Sequence, residues 1–479
     1  MAIDAGLRRL ALRTLLASFP GPSAPDWATD LISDGLAGHV LFGFNVVDHP
    51  QLAALTAGLR AARADVLIGI DEEGGDVTRL AHAGGSPYPG NAALGMVDDT
   101  DLTRRIYRAI GAELASLSID LDIAPDVDVN TDDDNPVIGT RSFGADPARV
   151  AAHAAAAVTG LQEVGVAACA KHFPGHGATV TDSHLELPVV DAPVGVLRTR
   201  ELPPFVAAVS AGVRTIMTAH IRVPALTGAL PATFSQPALV DLLRREIGFA
   251  GVVISDALEM RGSVDYAGSI PQAAALALAA GCDLLCIGAR VDLDLVEGVA
   301  AEIVTAIGDG RLPLTRVEEA AERVAALAAW ARPVPGSVDP DIGYPAALGA
   351  VRVEGSLDGL GAPLVVQLEA ASSAAIGHVP WGLGPHLDST EQIRATPAQC
   401  DAVSLTRRAG DRSIVFVGRN LHRLPGAPAL IESVAAMAPV IVVEMGWPSK
   451  WRPRSARAFV TTHGASRANG RAAARTLFP

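Results

Sequence analysis

Cysteine is scarce in this 479-residue chain. The four present, Cys169, Cys282, Cys286 and Cys400, are too few for a disulfide framework. Cys282 and Cys286 flank a strand-like apolar run, where four residues at about 3.3 Å each hold them roughly 13 Å apart, beyond disulfide reach. They read as small buried hydrophobes in a reducing compartment. Positive charge is short as well. With 38 Lys and Arg against 52 Asp and Glu, the formal charge is −14. No broad positive field exists to concentrate polyanions, which argues against nucleic acid or an anionic membrane as partner. Only Lys450 to Arg475 is locally basic. Long apolar runs are missing too. The longest, Pro271 to Ile287, contains Gly281 and Asp283 and reads as a helix followed by a strand, not a membrane span. Near the N-terminus, Arg13 interrupts the stretch that would have to serve as a signal-peptide core. The expectation is a soluble, cytoplasmic protein.

What is present is alternation. Short apolar runs recur at His39 to Phe42, Val66 to Ile70, Ile119 to Ala124, Gly165 to Ala170, Thr215 to Ala219, Gly251 to Ile254 and Asp283 to Ile287. Between them lie Ala- and Leu-rich segments of helical period, such as Thr103 to Leu117 and Val150 to Val164. This is the pattern of βαβ units and a parallel sheet. Size and strand count favour a (β/α)8 TIM-type barrel with one strand unrecognised, and no glycine-rich phosphate fingerprint follows the first strand to favour a dinucleotide fold. A Pro-rich break begins at Arg332-Pro333-Val334-Pro335. The division expected is a catalytic barrel over residues 1–332, a linker over 333–347 and a smaller α/β C-terminal domain over 348–479.

Nearly every run of the first domain stops at a polar residue: Asp71, Lys171, His220, and Ser255 with Asp256. In a parallel barrel all strand carboxyl ends emerge on one face, so these side chains converge there. Taken singly each has a plainer reading, Asp256 as a helix cap and His220 as a hydrogen-bonded core histidine. A metal is not expected. Asp126-Val127-Asp128-Val129-Asn130 starts like a calcium loop, but Thr131 and Val137 stand where its glycine and bidentate glutamate belong. His172, His176, Asp182 and His184 match no helical zinc motif, and Lys171 beside them repels a cation. In Asp182-Ser183-His184, residues two apart on an extended segment share a side. Asp182 can then hold one imidazole nitrogen of His184 and leave the other to substrate, a tunable acid/base.

Lys171-His172-Phe173-Pro174-Gly175-His176-Gly177 with Asp182-Ser183-His184 resembles the signature of the family 3 glycoside hydrolases, in their β-N-acetylglucosaminidase branch. Asp71-Glu72-Glu73-Gly74-Gly75 with Arg79, Asn135-Pro136-Val137-Ile138-Gly139 with Arg141-Ser142-Phe143-Gly144, and Ile254-Ser255-Asp256 are similar to that branch as well. The resemblance implies a barrel enzyme without cofactor, acting on a small-molecule carbohydrate. Its nucleophile falls on Asp256 and its acid/base on His184, oriented by Asp182, while Asp71, Arg79, Arg141, Lys171 and His172 bind the sugar. The implied reaction is retaining, exo-acting removal of terminal N-acetylglucosamine from soluble glycoconjugates such as the muropeptides of peptidoglycan recycling. Phosphate in place of water would make the same residues a phosphorylase. A silent binder of cell-wall fragments is a third reading, which loss of Asp256 or His184 would have suggested; both are present. Two positions depart from the family pattern: Asp76 stands where a basic residue is usual, and Thr140 where an acidic one is common.

Overall fold

The computed structural model describes residues 4–183, 185–370, 375–387 and 390–479. Its first sheet runs β1 (Leu15–Ala17), β2 (Gly38–Leu41), β3 (Leu67–Ile70), β4 (Leu121–Asp122), β5 (Ala167–Phe173), β6 (Thr215–Thr218), β7 (Val252–Ser255) and β8 (Leu284–Cys286). The strands pair in that order, all parallel, and close into a barrel. Closure passes through β1, where Leu16 pairs with Gly38 on one side and Cys286 on the other. Every barrel strand is buried along its whole length, which is why the strands read as unbroken apolar runs and not as alternation. β1 escaped that reading. It is three residues long and follows the helix Ala5–Leu12 almost directly, so its leucines merge with the apolar residues of the helix.

The crossover helices carry recognisable signals. Pro147–Gln162 begins at Asp146, whose carboxylate accepts from Ala148 N and Arg149 N, with Pro147 at the first helical position. That cap satisfies amide groups which have no partner inside the helix. Its buried stripe, Val150, Ala154, Ala157, Val158 and Leu161, has the spacing of one helical face. At the amino end of β8, fully buried Asp283 pairs with Arg244, Arg316 and Arg323. The end of the barrel opposite the converging side chains is thus braced by three arginines gathered on one buried carboxylate.

The chain forms two compact units that do not follow sequence order. The barrel unit comprises residues 1–73, 103–137 and 145–338; the second comprises 74–102, 138–144 and 339–479. The second sheet has the order β11 (Gln392–Ala395), β10 (Leu364–Leu368), β12 (Ile414–Gly418), β13 (Val440–Glu444), β14 (Ala458–Thr461) and β9 (Arg352–Gly355). All pairs are parallel except β14 with β9. The inner strands are wholly buried, while β9 is exposed throughout and β11 half so. These two edge strands carry no apolar run to announce them.

Within this unit the early segments are tied to the C-terminal ones. Asp76 Oδ2 accepts from Thr140 Oγ1 at 2.7 Å and Asp76 Oδ1 from Ala465 N at 2.8 Å. The two departures from the family pattern therefore meet as one hydrogen-bonded pair.

Candidate active site

The carboxyl ends of β3, β4, β5 and β7 supply the polar cluster of the barrel unit. Lys171, on β5 and 2% exposed, places Nζ 2.9 Å from Asp71 Oδ1 and 2.6 Å from Glu73 Oε1. A buried ammonium is tolerated only when paired this closely. Lys171 and Asp71, both expected at the site, are thus brought together, and Glu73 joins them. The Lys171-His172 peptide is cis, as are Ala124-Pro125 and Phe173-Pro174.

His172 is fixed by a residue that the sequence presented only as part of a failed calcium loop. Buried Asp128 takes His172 Nδ1 at 2.8 Å, His172 N at 3.3 Å and His176 N at 2.6 Å. Its own amide donates to Asp126 Oδ1 at 3.0 Å. Burial alone would raise the Asp128 pKa, but hydrogen bonding and charge from His172, with the nearby His176, outweigh it and hold the carboxyl below its ordinary range. Asp126, Asp128 and His172 bring one potential ligand atom each within 4.8 Å of one another. A ring nitrogen that donates its proton to Asp128 has no lone pair for a cation, so the trio fits a clamp on the β5 loop better than a metal centre.

His176 links that loop to the proposed acid/base arm. Its Nδ1 lies 2.7 Å from Thr179 Oγ1 and its Nε2 3.1 Å from Ser183 Oγ. Thr179 donates its single hydroxyl proton to His176 O. This assigns the ring proton to Nδ1 and makes Nε2 the acceptor of Ser183. Burial pushes the imidazole pKa down to about 4, so the ring is neutral near pH 7. Asp182 is half-buried, and its carbonyl accepts from Leu185 N and Glu186 N in a tight turn. Ser183 O accepts from Gly262 N. His184, expected to be the acid/base, lies outside the described residues.

Asp256 follows β7 directly and is half-buried; its Oδ1 accepts from Ala257 N at 2.8 Å. His220 Nε2 lies 3.1 Å from Ala257 O, and its Nδ1 2.9 Å from Thr233 Oγ1. The ring therefore steadies the peptide next to Asp256, closer to its plainer reading than to a catalytic one. Behind the β5 loop, Glu201 packs against Gly175, where a Cβ would stand 2.6 Å from Glu201 Cβ. Burial raises the Glu201 carboxyl to about 7 against the pull of Arg200.

The other two sugar-binding expectations, Arg79 and Arg141, belong to the second unit. Arg79 Nη2 donates to Ala375 O at 3.0 Å; Arg141 is buried, its carbonyl accepting from Asn91 Nδ2 at 2.6 Å. Glu73, Asp128 and His176 were not legible as supports. Glu73 and Asp128 act on neighbours from another strand and His176 on its own loop, and the only hint was that all three sit in loops leaving barrel strands.

Residues 19–327 match the glycosyl hydrolase family 3 N terminal domain. "Beta-hexosaminidase A" of Pseudoalteromonas piscicida is 34% identical over 329 residues, 63% of this chain; the chain spans 55% of that relative's length. "Beta-hexosaminidase" of Stenotrophomonas maltophilia (strain K279a) is 38% identical over 301 residues, 60% of this chain and 88% of its own. The solved structure of a glycoside hydrolase family 3 beta-N-acetylglucosaminidase from Paenibacillus sp. str. FPU-7 aligns with TM-score 0.88 at 30% identity, covering 99% of this chain and 97% of that one. The chain belongs to glycosyl hydrolase family 3 and is a glycoside hydrolase related to the beta-hexosaminidases.

Proposed function

We propose that the chain is a retaining exo-β-N-acetylglucosaminidase that removes terminal N-acetylglucosamine from soluble glycoconjugates such as muropeptides, in the cytoplasmic recycling of peptidoglycan. The observation that carries this reading is the convergence of Asp256, the Lys171-Asp71-Glu73 cluster and the Asp182-Ser183 turn at the carboxyl ends of the barrel strands. The choice of sugar is supported by the solved beta-N-acetylglucosaminidase to which the chain is similar.

In this reading the Asp256 carboxylate attacks the anomeric carbon as the bond to the leaving oxygen breaks, and that oxygen takes a proton from His184, oriented by Asp182. The glycosyl-enzyme ester is then cleaved by water, whose proton returns to His184 as Asp256 departs. Lys171, Asp71 and His172 hold the sugar hydroxyls. The test is hydrolysis of 4-nitrophenyl glycosides. N-acetylglucosaminide should be cleaved in preference to glucoside and xyloside, and Asp256→Ala should abolish turnover; full activity of that variant would overturn the assignment.

A further inference from the structure

We infer a second ligand site, at the carboxyl edge of the six-stranded sheet, where Arg419 stacked on Trp381 takes a small oxyanion, a carboxylate or phosphate group. The chain leaves β10 for β11 on one side and returns to β12 on the other, so β10 and β12 are neighbours at a topological switch point. In open parallel sheets the crevice outside such a point is where ligands sit. Arg419 is the first residue past β12 and is 8% exposed. Its guanidinium lies 4.6 Å above the ring of Trp381, itself buried. Among the described residues that ring is its only partner: no carboxylate pairs with it and no acceptor takes its protons.

The carboxylates nearby are engaged elsewhere. Glu369, the first residue past β10, accepts from Gln367 Nε2 at 2.9 Å. Glu444 accepts from the amides of Asn420, Leu421 and Gly446 at 2.6–2.8 Å. That bracing fixes the loop just past Arg419, so the guanidinium is held in place without being neutralised. Other deeply placed cations have carboxylates: Lys171 has two, and three arginines share Asp283. An aromatic face offsets part of the cost of burying a lone cation, and an oxyanion received by the planar fork offsets the rest. The site lies wholly within the second unit and does not depend on the reaction proposed for the barrel.

Isothermal titration of the full chain with inorganic phosphate, with D-glucuronate and with neutral D-glucose tests this. At least one anion should bind saturably while glucose does not, and which anion wins tells phosphate from sugar carboxylate. Arg419→Met should weaken that binding by about tenfold or more, and Arg419→Lys, which keeps the charge and loses the fork, by less. Absence of saturable anion binding to the unaltered chain would overturn the inference, as would unchanged affinity in Arg419→Met. Should that variant fail to fold, Arg419→Lys carries the comparison, and equal affinity there overturns it.

Discussion

Replacing Asp128 by Asn should unsettle both the fold and the reaction, and its size follows from the hydrogen bonds that the carboxylate receives. Two oxygens take His172 Nδ1, His172 N and His176 N. An amide keeps one acceptor and turns two protons toward those donors. Leaving one buried donor unpaired costs about 1–3 kcal/mol, and breaking a buried charge pair about 3–5 kcal/mol; the second estimate applies where His172 is protonated. A loss of about 3 kcal/mol is therefore expected, seen as a lower urea midpoint with unchanged slope. The same loop carries Lys171 and His172, so kcat/KM on 4-nitrophenyl N-acetylglucosaminide should fall by about a hundredfold, the cost of displacing positioning groups by roughly 1 Å. The pH dependence has a definite sign. Because the folded pKa of Asp128 lies below its ordinary 3.8, its contribution is complete above that value and is lost as pH falls through the folded one. The variant should lack this acid limb. A midpoint and kcat/KM both indistinguishable from the unaltered chain would refute the clamp.

Glu201 works in the opposite sense. Its carboxyl is raised from 4.5 to about 7, so its stabilisation is complete below pH 4.5 and is lost as pH rises through 7. A shift of that size corresponds to about 3 kcal/mol. Glu201→Gln should therefore gain on the unaltered chain by about that amount between pH 4 and 8, measured by urea unfolding at both pH values; a constant difference would count against it. Gly177→Ala should be strongly destabilising, because a Cβ there would lie 1.9 Å from Val129 O, and a thermal scan reads the loss. Asp76→Ala strips the partners of Thr140 Oγ1 and Ala465 N, at about 1–3 kcal/mol by urea unfolding.

Much of this molecule could be read from its sequence where one physical signal dominated. Parallel strands buried on both faces leave continuous apolar runs, so seven barrel strands stood out. β1, β9 and β11 did not, being respectively too short, too exposed and too much at an edge. The candidate site was legible as far as residues end strands, which gave Asp71, Lys171 and Asp256. Roles beyond that came from the likeness of whole motifs. What stayed hidden was pairing between distant segments. Glu73 meeting Lys171, Asp128 gripping two histidines and Asp76 meeting Thr140 are facts of the closed fold, and no periodicity reports them.

The interleaving of the second unit bears on how the chain comes to be folded at all. Asp76 and Ala465 are 389 residues apart in sequence. At a synthesis rate of about 5–20 residues per second, the early segment waits on the order of 20–80 s for its partner to be made. The thermodynamic cost of so large a loop is slight, since each doubling of length adds only about 0.6 kcal/mol. The kinetic consequence is larger, because contacts of high sequence separation form late. Residues 74–102 and 138–144, with Arg79 and Arg141 among them, cannot complete their packing until the last helix, Arg467–Leu477, is available. A nascent chain released before that helix would carry the barrel motifs without the structure on which two of its expected sugar contacts rest.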